Sequence, residues 1–414
     1  MPLATIATII ALCTGCMELD AERQYDSSLH TLHVTALYPA GFESYATEGT
    51  EFVAMDDNMG RSYTAKAVVA DAEKGMIAAD FRLSEGLYNV AVSDARGRYT
   101  FNASADQVRL ASGDVAIELR LAESLASPLI IKEIYCGGCT KLPFEGTYAV
   151  DKYIVLHNNS AETYYLDGLC MGVIEPYNST AANVWIERDE TTGETVFPDF
   201  LPIGECIWQF SGNGSDFPIE KGEDVVVAIN GAINHTAQYP NSVNLENADF
   251  VCYAPVFYGN TTYHPAPSDK IPTSHYLNVV VKVGPANGYP FSQTSPGVIL
   301  FRAQECTIQE FVAREGVIVQ KPGSTIISVV KIPRAWAIDA VEVFDGTSSQ
   351  NRKRFASSLD AGYVYLSNTY LGHSLMRHYD EQASAEAGFA IYVDTNNSTN
   401  DFYERDKASL KDNE

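Results

Sequence analysis

Leu129-Ile-Ile-Lys-Glu-Ile-Tyr135, followed at residues 151–169 by DKYIVLHNNSAETYYLDGL, decides how this 414-residue chain is read. Both stretches are dense in β-branched and aromatic side chains, and the second breaks at Asn158-Asn159-Ser160 before resuming at Tyr164. Neither repeats its apolar residues at a helical spacing, so both read as strands interrupted by a polar turn. The pattern continues towards the C-terminus. In FPIEKGEDVVVAI (217–229), Glu220-Lys221-Gly222-Glu223 reads as a turn between two strands. Further strands follow as LNVVVKV, GVILFRA, STIISVVKIP, IDAVEVFD and FAIYVD.

Upstream, residues 29–123 show the same alternation in shorter runs. Leu32, Val34 and Ala36 lie on one face of a strand, as do Tyr88, Val90 and Val92. Asp57-Asn58-Met59-Gly60 is a hairpin signal, and Ser93 to Gly97 reads as a second turn. The expected fold is therefore all-β. An N-terminal immunoglobulin-like β-sandwich at 29–123 ends near Ser124–Pro128, a larger β domain occupies 129–403, and 404–414 forms a polar tail.

The chain carries 28 Lys and Arg against 53 Asp and Glu, a formal charge of −25. Such a surface repels phosphate backbones, so no nucleic-acid partner is expected. At the N-terminus, Leu3 to Leu12 is an apolar run too short to span a bilayer, and Thr14-Gly15-Cys16 follows it. This resembles the signal peptide and lipobox of bacterial lipoproteins, which implies removal of residues 1–15, acylation of Cys16 and a lipidated tether at 16–28. Glu18, Asp20, Glu22 and Asp26 follow at once. That early acidic cluster resembles the export signal of Bacteroidetes lipoproteins and implies a surface-exposed place on the outer membrane, held through a lipid anchor.

Within 129–403, the segments LIIKEIY, DKYIVLHNNSAETYYLDGL, FPIEKGEDVVVAI, IDAVEVFD, GHSLMR and DTNNSTNDF, in that order, resemble the lamin-tail domain. The resemblance implies an immunoglobulin-like sandwich with long insertions at about 172–200 and 254–297. Together with the lipobox, it also resembles Bacteroidetes outer-membrane lipoproteins of unassigned function. What this implies is an accessory role beside a TonB-dependent transporter, without any catalytic residue.

The functional candidates are few. Six cysteines beyond the N-terminus, Cys136, Cys139, Cys170, Cys206, Cys252 and Cys306, are an even set that an exported chain permits to pair as disulfides. Cys136-Gly-Gly-Cys139 lacks the second ligand pair of a zinc site. Asp394, Asn396 and Asp401 gather oxygen ligands suited to a hard cation, but without EF-hand spacing, and turn geometry accounts for them better. His373 and His378 lack a third ligand, and no nucleophile elbow surrounds Ser374. No cofactor is expected, and the chain reads as non-enzymatic. The insertions offer the binding candidates: Tyr177 and Trp185 on the first, Tyr258, Tyr263, His264, His275 and Tyr276 on the second. Long loops on a rigid sandwich are where binding concentrates, and tyrosines supply flat contact area with little entropy to lose. The expected function is capture of a nutrient ligand or docking on a TonB-dependent transporter; the alternative is a cell-surface structural adhesin or matrix protein.

Overall fold

A computed structural model describes residues 29–56, 61–96, 99–188 and 195–412. Cys16, the tether and the Asp57–Gly60 hairpin signal lie outside the described residues. The fold is all-β, in two successive sandwiches.

In the first, a sheet ordered Val68–Asp71, Met76–Leu83, His30–Leu37, Val115–Arg120 faces a second one. The second sheet is ordered Ser62–Lys66, Glu51–Asp56, Gly86–Arg96, Tyr99–Leu110, Ala122–Leu125. The alternating residues Leu32, Val34 and Ala36 meet Phe52, Tyr88, Val90, Val92 and Phe101 in one core. Ser93 to Arg96 are strand rather than turn: they pair with Tyr99–Asn102 in an unbroken ladder.

In the second sandwich, six strands are ordered Phe250–Val251, Asp224–Ala228, Tyr153–Asn158, Leu129–Tyr135, Ser374–Arg377, Phe402–Arg405. They face a larger sheet built around Cys170–Ile174, Phe200–Gln209, Gly297–Phe301 and Ala337–Asp345. Between the sheets lie Ile131, Ile154, Val227, Met171, Trp208, Val298 and Val341. Leu129–Tyr135 contributes Leu129, Ile131 and Ile134 to this core, which strict alternation forbids. A bulge between Ile131 and Glu133 resolves the conflict by shifting the register one residue. Lys132 is thereby left to pair with Asp224 at 2.5 Å, and Tyr135 turns to a cluster on the opposite face.

The polar turns of the signature stretch are structural. Asn158 donates to the carbonyls of Glu162 (2.7 Å) and Ile219 (2.8 Å) and accepts from the Ser160 amide at 3.0 Å, so one side chain closes the turn. Asp167 accepts from the amides of Gly214, Asp216 and Phe217, each at 2.9 Å, and thereby shapes the loop between two strands. Burial works against its charge, but these amides outweigh burial and hold its carboxyl below the ordinary value. Its contribution is thus present above the ordinary carboxylate value near pH 4 and fades as pH falls through the lowered one. Asp167→Ala is expected to cost about 1–3 kcal/mol in urea unfolding at pH 7.

The outer faces of both sheets are also covered. Phe311, from a helix Ile308–Val312 opened by a Thr307–Glu310 capping box, packs on Trp336 with ring centroids 4.5 Å apart. On the six-stranded side the residues expected as a polar tail join the fold: Ala408 is fully buried, Ser409 donates to Glu133, and Lys411 binds the carbonyls of Pro240 and Ser242.

Candidate functional site

The second insertion makes two tight turns. The Ala254 carbonyl accepts from the amides of Phe257 (3.0 Å) and Tyr258 (2.9 Å), and the Asn260 carbonyl from those of Tyr263 (3.1 Å) and His264 (2.9 Å). Each turn buries its last side chain and leaves those just before it outside. Tyr258 and His264, expected to face a ligand, are buried in the sandwich core: their rings stack at 5.4 Å, and Tyr258 lies 5.7 Å from Trp208 and 5.9 Å from Tyr289. His264 accepts the Tyr289 amide on Nε2 at 2.8 Å, so its proton sits on Nδ1. Burial pushes its pKa down to about 4, which keeps the ring neutral at physiological pH. These two are core residues, 1% and 2% exposed. Pointing outward instead are Val256, 85% exposed, with Phe257 at 42% and Tyr263 at 51%.

The other candidates stand in different surroundings. His275 stacks on Phe250 at 4.8 Å and donates from Nδ1 to the Asp249 carbonyl at 2.7 Å, while the half-buried Tyr276 meets Tyr253 edge-on at 5.6 Å. Trp185 stands edge-on to Phe200 at 5.9 Å, and its amide binds Asn183 Oδ1 at 3.1 Å. Together with Phe197, Pro202 and Arg334 these residues line a cleft of about 10 Å³, room for about one water molecule. A second cleft, between Met55 and Tyr363, is no larger at about 10 Å³. Small-molecule sites are typically hundreds of Å³, so neither cleft has the concavity that ligand capture requires. Tyr177 is more than a third exposed, and its carbonyl accepts from Arg354 at 3.3 Å.

Arg354 organises the first insertion. Its side chain is fully buried against Glu342, with Nε to Oε1 at 2.7 Å, and it also holds the carbonyls of Pro176 and Tyr177. Ser179 donates to Asn351 at 2.6 Å and completes the attachment.

The oxygen-rich run near the C-terminus is occupied by an arginine. Arg377 donates to Asp339 (3.0 and 3.1 Å), Asp394 (3.1 Å) and Asp401 (3.0 Å), with its guanidinium 4.7 Å over the Phe402 ring. Among the described residues no group of His, Cys, Asp or Glu is arranged to hold a metal ion. Asn396 directs its amide to Thr100 and Ser124 of the first sandwich instead. The sequence signal for this arrangement was faint: GHSLMR ends in a cation on an otherwise apolar strand. His373 pairs with Glu404 at 2.8 Å and His378 stacks on Tyr403 at 4.8 Å.

The disulfide expectation is corrected. All six cysteines stand as thiols, five of them buried and Cys306 half-buried. Cys139 donates to Asp151 at 3.6 Å, Cys170 donates to the Gly168 carbonyl at 3.7 Å, Cys136, Cys206 and Cys252 pack in the central core, and Cys306 packs against the cluster on the outer side of the larger sheet. Burial pushes the thiols of Cys136, Cys139 and Cys170 up to about 12, which leaves them protonated and slow to exchange.

Comparison with known proteins agrees with this architecture. No curated protein matches the chain. A crystal structure of a DUF4876 family protein from Bacteroides thetaiotaomicron is 25% identical, with 93% of this chain and 97% of that one covered and a TM-score of 0.57. A leucine-rich repeat protein of the same organism (9% identity, 48% and 25% covered, TM-score 0.21) is more remote. So is the Bacillus anthracis TIE protein (14%, 47% and 32%, TM-score 0.17). Residues 220–409, most of the second sandwich, match the DUF4876 family, described as a protein of unknown function.

Proposed function

We propose that this is a non-enzymatic lipoprotein of the outer-membrane surface, anchored through Cys16, that docks on a membrane protein partner through its second insertion. The observation that carries the reading is the side-chain split of the 254–263 loop: Tyr258 and His264 fix it to the core while Val256, Phe257 and Tyr263 project into solvent. Exposed apolar side chains on a loop pinned to the core by Tyr258 and His264 suit a protein surface better than a small molecule. The roughly one-water clefts support docking over nutrient capture. The lipobox-like Thr14-Gly15-Cys16 and the acidic run after it support the anchor and the surface location. The lamin-tail resemblance of the second sandwich supports an attachment role, and the lipoprotein resemblance makes a TonB-dependent transporter the first partner to test.

The test is capture from native membranes by the tagged full chain, wild type against Val256→Asp/Phe257→Asp and against Cys16→Ala. The wild type is expected to retain a barrel-sized membrane protein. The loop variant should lose it by about tenfold or more, as truncation of a central apolar anchor does, and Cys16→Ala should leave the membrane fraction. Equal capture by wild type and loop variant defeats the docking reading, as does retention of a polymer with no barrel, which would establish the adhesin instead.

A further inference from the structure

The two sandwiches meet along the outer face of the sheet that carries Met55, Asn89, Ser93 and Asn102. Apolar contact there is slight, with Met55 set against Phe344, Tyr363 and Tyr365, and a cleft opens beside it. Most of the contact is polar and comes from one short segment. Asn102 donates to the Thr395 carbonyl at 2.7 Å, Asn396 to Thr100 at 2.8 Å and Ser124 at 3.1 Å, and Asn397 to Ser93 at 2.6 Å. The Ser127 amide, in the connection between the sandwiches, donates to Asp394 at 3.2 Å. Away from this segment, Asn89 reaches the Tyr363 hydroxyl at 3.4 Å.

That segment is held in shape from within. Asp401 accepts from the Thr395 amide at 3.0 Å, the Thr395 hydroxyl at 2.7 Å and the Asn397 amide at 3.3 Å, and Asn396 is thereby fixed at φ 54°, in the left-handed region. Asp401 in turn rests on Arg377, which also faces Asp339 and Asp394, and all four side chains are at least 97% buried. The surrounding donors suit carboxylates as bases. One guanidinium nevertheless cannot balance three carboxylates, and two negative charges are left over in a dry site.

We propose that residues 394–401 are a clasp between the two sandwiches, and that uptake of a proton by the Arg377 carboxylate cluster closes it. Burial supports this by pushing Asp339 and Asp401 up to about 7. The charged groups around the clasp are few. Arg377 and Asp339 come from the two sheets; Asp360, which accepts from the Ser398 amide at 2.8 Å and hydroxyl at 2.6 Å, braces the other end, with Lys353 beside it. In the bonds described, the first sandwich supplies only the neutral Ser93, Thr100, Asn102 and Ser124.

The sign follows from linkage. Once released into water, the clasp carboxylates titrate near their ordinary value of about 4, so closing takes up a proton between that value and about 7. Closure is strongest at the acid end, weakens about tenfold per pH unit for one proton, and levels off above neutrality.

Hydrogen exchange on the full chain tests this, with rates expressed as protection factors. Between pH 5 and pH 8, amides of 394–401 and of the facing strand Tyr99–Leu110 should lose about a hundredfold in protection, while Tyr153–Asn158 in the second core keeps its own. Asn102→Ala/Asn397→Ala, which removes neutral contacts only, should open the clasp at both pH values and lengthen the molecule in small-angle scattering. Asp394→Asn should flatten the pH dependence. Unchanged protection in the wild type across this range overturns the proton control. A double variant as compact and as protected as the wild type overturns the clasp.

Discussion

Arg377→Met will lower the stability of the chain by about 3–5 kcal/mol, the range seen when one member of a buried ionic group is removed. The side chain makes more bonds than any partner could replace. Its Nε donates to the Ile131 carbonyl at 2.9 Å, beside the bulge of the central strand, and its terminal nitrogens reach Val393 and three aspartates. Methionine fills similar volume over Phe402 but leaves three carboxylates without a counter-charge. Urea unfolding at pH 7 measures the loss, and the deficit should be smaller at pH 5, where Asp339 and Asp401 take protons. A loss under about 1 kcal/mol, typical of a solvent-exposed pair, would show that the guanidinium is not the hub described.

The second large effect concerns the first insertion. Glu342 accepts four N–H groups: Arg354 Nε at 2.7 Å, its terminal nitrogen at 2.6 Å, its backbone amide at 2.7 Å, and the Phe355 amide at 3.2 Å. Glu342→Ala strands a fully buried guanidinium without its counter-charge, and about 3–5 kcal/mol is again expected. The consequence is also local. Arg354 is what holds the Pro176 and Tyr177 carbonyls, so amides of 175–185 should exchange faster well before the core opens. Glu342→Gln, which keeps two acceptor lone pairs, should lie between wild type and alanine. Exchange in 175–185 that tracks global unfolding would separate the pair from the insertion.

Strand content was legible because alternation and turn chemistry are local. Leu32, Val34 and Ala36 point where their spacing says, and Asn158 closes the turn that its position at the end of the strand Tyr153–Asn158 implies. Two kinds of information were not local. A bulge at Lys132 changes which residues of Leu129–Tyr135 face the core, and nothing in seven letters marks it. Whether a loop aromatic lies inside or outside depends on the turn that carries it. Tyr258 and Tyr263 are five residues apart in one tyrosine-rich loop, yet one is core and the other is solvent. The cysteines mislead for a similar reason, since an even count describes a compartment's permission and not a geometry. In Asp394–Asp401 the turn chemistry was readable, but the partners were not: Arg377 lies on another strand and Thr100 in another sandwich.

The order of strands in the six-stranded sheet has a consequence for synthesis. Leu129–Tyr135 leaves the ribosome early, yet one of its two neighbours is Ser374–Arg377, which arrives some 240 residues later. Until that late strand docks, the earliest part of the second sandwich has a bare edge and an incomplete core. Contacts of such sequence separation form slowly. The second sandwich can therefore complete its six-stranded sheet only once nearly the whole chain has been made.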